Sequence, residues 1–207
     1  MKSDSSRASQ TVRDLLQAAA GVDLEDWFVY TIGAPMMDLD AAPCGGARYP
    51  VEARMDARVF ARFHLDAGIG DVVMKPFQMV RLRDWLGFAG IPAPEIYLIP
   101  REQQAAEKLH AYTLPRSTPN SRVRDLMDLI LLISSGELQE DRLREAVRLT
   151  FERRRTHPVP PDLPQPAEAW TTPFRELAKE CGLPMDLRES LGEVSRFFGS
   201  VIGCPHT

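Results

Sequence analysis

The period of the apolar residues changes once along the chain, and that change limits the fold more than anything else in the sequence. Between residues 49 and 66, Val59, Ala61, Phe63 and Leu65 fall on one face while Arg58, Phe60, Arg62, His64 and Asp66 fall on the other. A period of two belongs to extended strands, whose successive side chains point to opposite sides. Residues 27–32 (WFVYTI), aromatic and β-branched, read as another strand, and the Gly/Pro/Asp-rich stretch 33–46 reads as a loop. A short extended segment at 95–99 ends at Pro100. Beyond it the period is helical: residues 101–113, 121–134 and 139–154 predict three helices. The sequence therefore predicts an α+β protein, with a small, mostly antiparallel sheet followed by a helical C-terminal part.

The remaining segments fill in this plan. Residues 1–10 are polar and Ser-rich and predict a disordered tail, followed by a short helix at 11–20 with Gly21 as its stop. The main division is placed at residue 100, giving an α/β part over 11–100 and a helical part over 101–207. Within the latter, 157–173 is rich in proline and reads as an extended strap, because proline lacks the amide hydrogen a helix needs. Two more helices are predicted at 173–182 and 186–198.

Composition narrows the class. The chain has 207 residues, 44% hydrophobic and 26% charged, which suits one main core and argues against disorder or a membrane span. Twenty-five basic against 29 acidic residues leave a net charge of −4, so any contact with nucleic acid has to be local. Cys44, Cys181 and Cys204 are far apart, which fits reduced thiols in a cytoplasmic protein. The longest apolar run, 129–133, is too short to cross a bilayer, so no membrane association is expected.

Three places invite chemistry. In the helix from Ser121, Leu126, Met127, Leu129, Ile130, Leu131, Leu132 and Ile133 surround one acid, Asp128. An isolated buried carboxylate is costly, so Asp128 needs a partner or a task. Arg124 at i−4 could pair with it inside the helix, and Asp125 shares the stripe. Lys108 borders the core stripe Ala105, Leu109 and Tyr112; it can snorkel to water, or act as a point charge towards phosphate or carboxylate. Asp66 closes its strand on the polar face, which is either solvated or the wall of a cleft with His64 as a neighbour. The other histidines have no metal spacing; Arg153–Arg155 with Arg142, Arg144 and Arg148 could touch RNA phosphate, but the interspersed acids Glu140, Asp141, Glu145 and Glu152 favour a solvated helix face.

The segments LDAGIGD (65–71), AEKLHAYTLPR (106–116) and NSRVRDLMDLILL (120–132), in that order, resemble the bacterial nucleotidyltransferases of the AbiEii/AbiGii toxin family. Members of that family carry hDhxxGD at a strand end, AEKLxA in a later helix and R(K/R)DLxDL in the next. The resemblance implies a DNA polymerase beta-type nucleotidyltransferase sheet and Mg-dependent transfer of NMP from a nucleoside triphosphate to RNA, with tRNA the leading acceptor. It implies catalytic roles for Asp66, Lys108 and Asp128, with Asp66 as a ligand of a two-ion Mg²⁺ site. It implies nucleotide binding by Lys108, Arg122, Arg124 and Asp125. It also implies a toxin–antitoxin or phage-defence (abortive-infection) setting with a winged-helix antitoxin as partner.

The family's opening glycine turn and D-h-D metal motif have no counterpart before Trp27. The only acid-x-acid pair nearby, Asp38-Leu39-Asp40, reads as part of a loop. The sheet is therefore expected to be incomplete and the chain impaired, since a hard divalent ion with one protein oxygen is barely better held than in water. The alternative is a non-catalytic remnant that binds antitoxin or RNA. A sheet edge left unpaired would invite homodimerisation.

Overall fold

The computed structural model describes the chain apart from residues 1, 25–26, 39–42, 86, 117–121, 185 and 204–207, and gives only the backbone of 2–9 and 89. Leu39, Asp40, Ser121, Cys204 and His206 thus lie outside the described residues. The fold is α+β, and the chain separates into two compact units, Met1–Asp71 and Val72–Thr207. The division falls at 71/72 rather than at residue 100, so the segment leading to Pro100 groups with the helices.

In the first unit α1 (Lys2–Ala20) precedes β1 (Phe28–Ile32), β2 (Met37–Asp38), β3 (Gly46–Met55) and β4 (Arg58–Gly68). The helix runs back to Lys2, through the stretch expected to be a disordered tail. β3 is the organising strand: β1 and β2 pair antiparallel with its two halves along one edge and β4 pairs along the other. Residues 44–45 and 69 extend the β3–β4 hairpin, with Ile69 N–H donating to Gly45 C=O at 2.8 Å. Gly70 follows at φ +91°, and a Cβ there would meet Cys44 Sγ at 2.5 Å, so both conformation and space require glycine.

The small core of this unit is Ile32, Ala47, Tyr49 and Val51, covered by Val12, Leu16 and Ala20 of α1. Gln17 fixes the helix to the sheet, accepting from Ile32 N–H at 2.8 Å and donating to Tyr30 C=O at 3.2 Å. The alternation in β4 is present, with Leu65 opposite Tyr49 and Phe63 opposite Val51. Its expected core face is nevertheless open: Val59, Phe63 and Leu65 are 37%, 46% and 38% exposed. The core that α1 covers is built from β1 and β3 and reaches Ala67 on β4, but it does not include Val59, Phe63 or Leu65.

The second unit begins with the two-stranded β5 (Gln78–Arg81) and β6 (Glu95–Leu98). Five helices follow: α2 (Arg101–Thr113), α3 (Val123–Ser134), α4 (Glu140–Arg154), α5 (Thr171–Cys181) and α6 (Leu187–Ile202). α2 is central, burying Ala105, Ala106, Leu109 and Tyr112 among Leu126, Leu129, Ile130, Leu143, Val147, Phe151 and Phe198. Its Gln103 holds the incoming chain, accepting from Met74 N–H at 2.8 Å and donating to Val72 C=O. The proline strap is tied down by Tyr112, whose hydroxyl donates to Pro164 C=O at 2.7 Å. Burial pushes that phenol up to about 12. α6 is capped by Asp186, whose carboxylate accepts from the N–H groups of Arg188 and Glu189. Among the described residues no helix is long and apolar enough to cross a membrane.

Phe174 of α5 is fully buried in this core. Phe174→Ala is expected to lower the unfolding free energy by about 3–5 kcal/mol, since the transfer term and the cavity add. Urea unfolding followed by circular dichroism checks this, and a loss under about 1 kcal/mol, the size of an ordinary surface change, would contradict the packing.

Candidate functional site

α2 ends in AEKLHAYT, where Ala105, Leu109 and Tyr112 bury one stripe and leave Lys108 at its border. On α3, Leu126, Leu129 and Ile130 face the core, which turns Asp125 and Asp128 towards α2. The Lys108 ammonium donates to Asp128 Oδ2 at 2.6 Å and to Asp125 Oδ1 at 3.3 Å. Arg122 Nη1 reaches the other oxygen of Asp125 at 3.4 Å.

These distances settle the open question about α3. The internal Arg124–Asp128 pair is not formed: Asp128 takes the lysine of the neighbouring helix, and Arg124 has no partner among the described residues. Nor is Asp128 the deeply buried acid that the apolar run predicts. Its side chain is 40% exposed, whereas that of Asp125 is 9% exposed, because Asp125 sits nearer the core stripe. Asp125, held by one lysine and one arginine, is the acid whose burial requires partners.

Burial alone would lower the Lys108 pKa; the hydrogen bond and charge of Asp128, followed by those of Asp125, outweigh it and hold the ammonium above the ordinary lysine value of 10.5. At neutral pH Lys108 is therefore a fixed cation, suited to binding anions and unsuited to accepting a proton.

Around this pair lies a cleft of about 460 Å³ within the second unit. Lys108, Arg116, Arg122 and Arg124 provide four positive groups against the two carboxylates of Asp125 and Asp128. Met127, Leu131, Leu177 and Cys181 form its less polar wall. Arg116 also has no partner among the described residues. It was missed as a site residue, although it closes the AEKLHAYTLPR segment. The contribution of α5 through Leu177 and Cys181 has no local sequence signal at all.

Asp66 belongs to the first unit and has a different setting. It lies on the polar face of the hairpin opposite Arg48, which grips it through Nε–Oδ1 at 2.6 Å and Nη2–Oδ2 at 2.7 Å. The Arg48 hydrogen bonds hold the Asp66 carboxyl below its ordinary range. His64 is exposed next to it, across from Pro50. The sequence reading missed Arg48, whose pairing with Asp66 depends on the strand register.

The other histidines have structural partners. His110 and His157 pack edge-to-face against Phe151, with His110 bonded to Thr156 and His157 to Thr113. On α4, Arg148–Glu152 is an exposed pair of the kind expected for a solvated face, whereas Arg144, paired with Asp141, is half-buried and donates to Val201 C=O at 2.9 Å.

A family model described as nucleotidyl transferase AbiEii toxin, type IV toxin–antitoxin system, matches residues 3–192. The chain belongs to this family. No curated protein matches it. Membership gives the chain a toxin–antitoxin function of nucleotidyltransferase type, with an antitoxin as partner and a nucleotide as substrate. AbiEii-type and other nucleotidyltransferases generally use divalent metals. The described residues do not fit such an ion: none of their His, Cys, Asp and Glu side chains form a group of three able to hold one, and Asp66 is engaged on both oxygens by Arg48.

A raised folded pKa means that Lys108 stabilises the fold fully below about 10.5 and loses this contribution as pH rises through the folded value. The stability difference between wild type and Lys108→Met, from urea unfolding, should stay level from neutral pH to that point and shrink above it. A difference that grows with pH would contradict the assignment.

Proposed function

We propose that the cleft around Lys108 binds the triphosphate of a nucleoside triphosphate and that the chain's reaction is transfer of NMP from this donor to RNA, with tRNA the leading acceptor. The observation that carries this reading is the fixed Lys108 ammonium flanked by Arg116 and Arg124, which have no partner among the described residues. A polyphosphate needs several donors held apart from one another, and arginine forks bind its oxygens in pairs. Asp125 and Asp128 orient Lys108 rather than touch the anion, and so act as positioning residues. Arg122 shares itself between Asp125 and the cleft. The apolar wall of Met127, Leu131 and Leu177 offers a surface for the base or ribose.

Asp66 retains the part of metal-facing acid only where Arg48 releases it. Its bidentate capture favours a second reading, in which this chain binds nucleotide, RNA or a winged-helix antitoxin with little turnover of its own. In keeping with the family setting, the consequence for a host would be growth arrest or phage resistance set by the antitoxin.

The two readings separate by experiment. Titration with a fluorescent nucleoside triphosphate should give saturable binding that Lys108→Met weakens about 10–100-fold, the range expected for losing a charged hydrogen bond. Arg116→Ala and Arg124→Ala should each weaken it less. Unchanged affinity in Lys108→Met would remove the cleft from the account. Incubation of the chain with Mg²⁺, each labelled triphosphate and bulk tRNA should label RNA on the first reading, with the label abolished by Asp66→Ala, and should leave RNA unlabelled while the nucleotide still binds on the second.

A further inference from the structure

β4 has an open edge with a self-complementary pattern. Among the described residues it pairs with β3 alone. Ile69 addresses Gly45 of the neighbouring strand, and antiparallel ladders alternate their bonding direction at every residue. Ala61, Phe63, Leu65 and Ala67 therefore turn their peptide groups towards β3. Arg62, His64, Asp66 and Gly68 turn theirs to the open side. A row of unpaired peptide groups is a template for another strand.

We propose that β4 pairs antiparallel with β4 of a second copy of this chain, about a two-fold axis at His64. This register sets Arg62 opposite the partner's Asp66, and the symmetry repeats the pair on the other side of the axis. Arg62 already binds Glu52 at 2.9 Å, and Asp66 already binds Arg48. The polar face then carries, strand by strand, Glu52, Arg62, the partner's Asp66 and the partner's Arg48, with the sign alternating at each step. The opposite face carries Val51, Phe63, the partner's Leu65 and the partner's Tyr49, which covers Phe63 and Leu65, two of the three apolar side chains that α1 leaves exposed.

Neighbouring registers are worse. An axis at Arg62 opposes two arginines and an axis at Asp66 opposes two aspartates, and like charges directly opposite are repulsive. An axis at Phe63 sets Asp66 against the partner's Phe60. An axis at Leu65 pairs His64 with the partner's Asp66 but leaves Arg62 opposite glycine and shortens the ladder. The pairing is independent of the triphosphate cleft, which lies in the other unit. In the dimer Asp66 faces two guanidinium groups, so a paired copy does not offer it to a cation.

The test uses the full chain with Cys44, Cys181 and Cys204 changed to Ser. In this background His64→Cys brings two thiols together across the axis, at the Cα separation of about 5.5 Å that suits a disulfide. Mild oxidation should give a covalent dimer in much higher yield than Val29→Cys, an exposed position elsewhere on the sheet. Sedimentation of the wild-type chain should show a concentration-dependent dimer, and Phe63→Glu, a change at an exposed side chain with circular dichroism as the check on folding, should shift it to monomer. A wild-type chain that stays monomeric overturns the proposal, as does a dimer indifferent to Phe63→Glu. Cross-linking of His64→Cys no better than Val29→Cys, or weaker than Leu65→Cys, overturns the register.

Discussion

A lysine shared by two aspartates on the facing helix determines what the second unit can do. Lys108 is placed by the core stripe of α2, Asp125 and Asp128 by that of α3, and the contact follows once both stripes are buried. The pairing has two effects. It keeps the ammonium charged well past neutral pH. It also occupies the two carboxylates, with Arg122 on the second oxygen of Asp125, while Arg116 and Arg124 have no partner among the described residues. A structural ion pair and an anion site are therefore compatible here, because the lysine keeps 39% of its side chain in contact with solvent.

The first unit shows how an acid of the expected type can sit in the expected place and still be occupied. Asp66 ends its strand on the polar face, but the β3–β4 register puts Arg48 directly opposite. A bidentate guanidinium satisfies both carboxylate oxygens. Any cation taking Asp66 has to displace that arginine. The same register supplies the Glu52–Arg62 pair, so the polar face is a ladder of cross-strand ion pairs rather than a bare acidic wall.

What the sequence disclosed follows from the range of the forces involved. The helices α2 and α4 are legible to within a residue, because local periodicity and Pro100 specify them. The alternation of β4 is legible for the same reason. Burial on β4 was not, because alternation tells which side chains share a face and says nothing of whether a neighbour covers it. The apolar run of α3 pointed to the wrong aspartate: the buried acid is Asp125, and Asp128 is drawn to the helix border by Lys108. Arg48, Leu177 and Cys181 join their sites through register and tertiary packing, which leave no local trace. The helix over residues 2–10 runs against a polar composition that favours disorder.

The central claim is that the Lys108 ammonium is the anchor for a nucleotide's phosphates. The most direct measurement is a crystal structure of the chain grown with a non-hydrolysable nucleoside triphosphate. The account predicts phosphate oxygens at hydrogen-bond distance, about 2.7–2.9 Å, from Lys108 Nζ, with Arg116 and Arg124 closing on the same group. A triphosphate bound elsewhere, with Lys108 still turned only to Asp125 and Asp128 and both arginines idle, would contradict it.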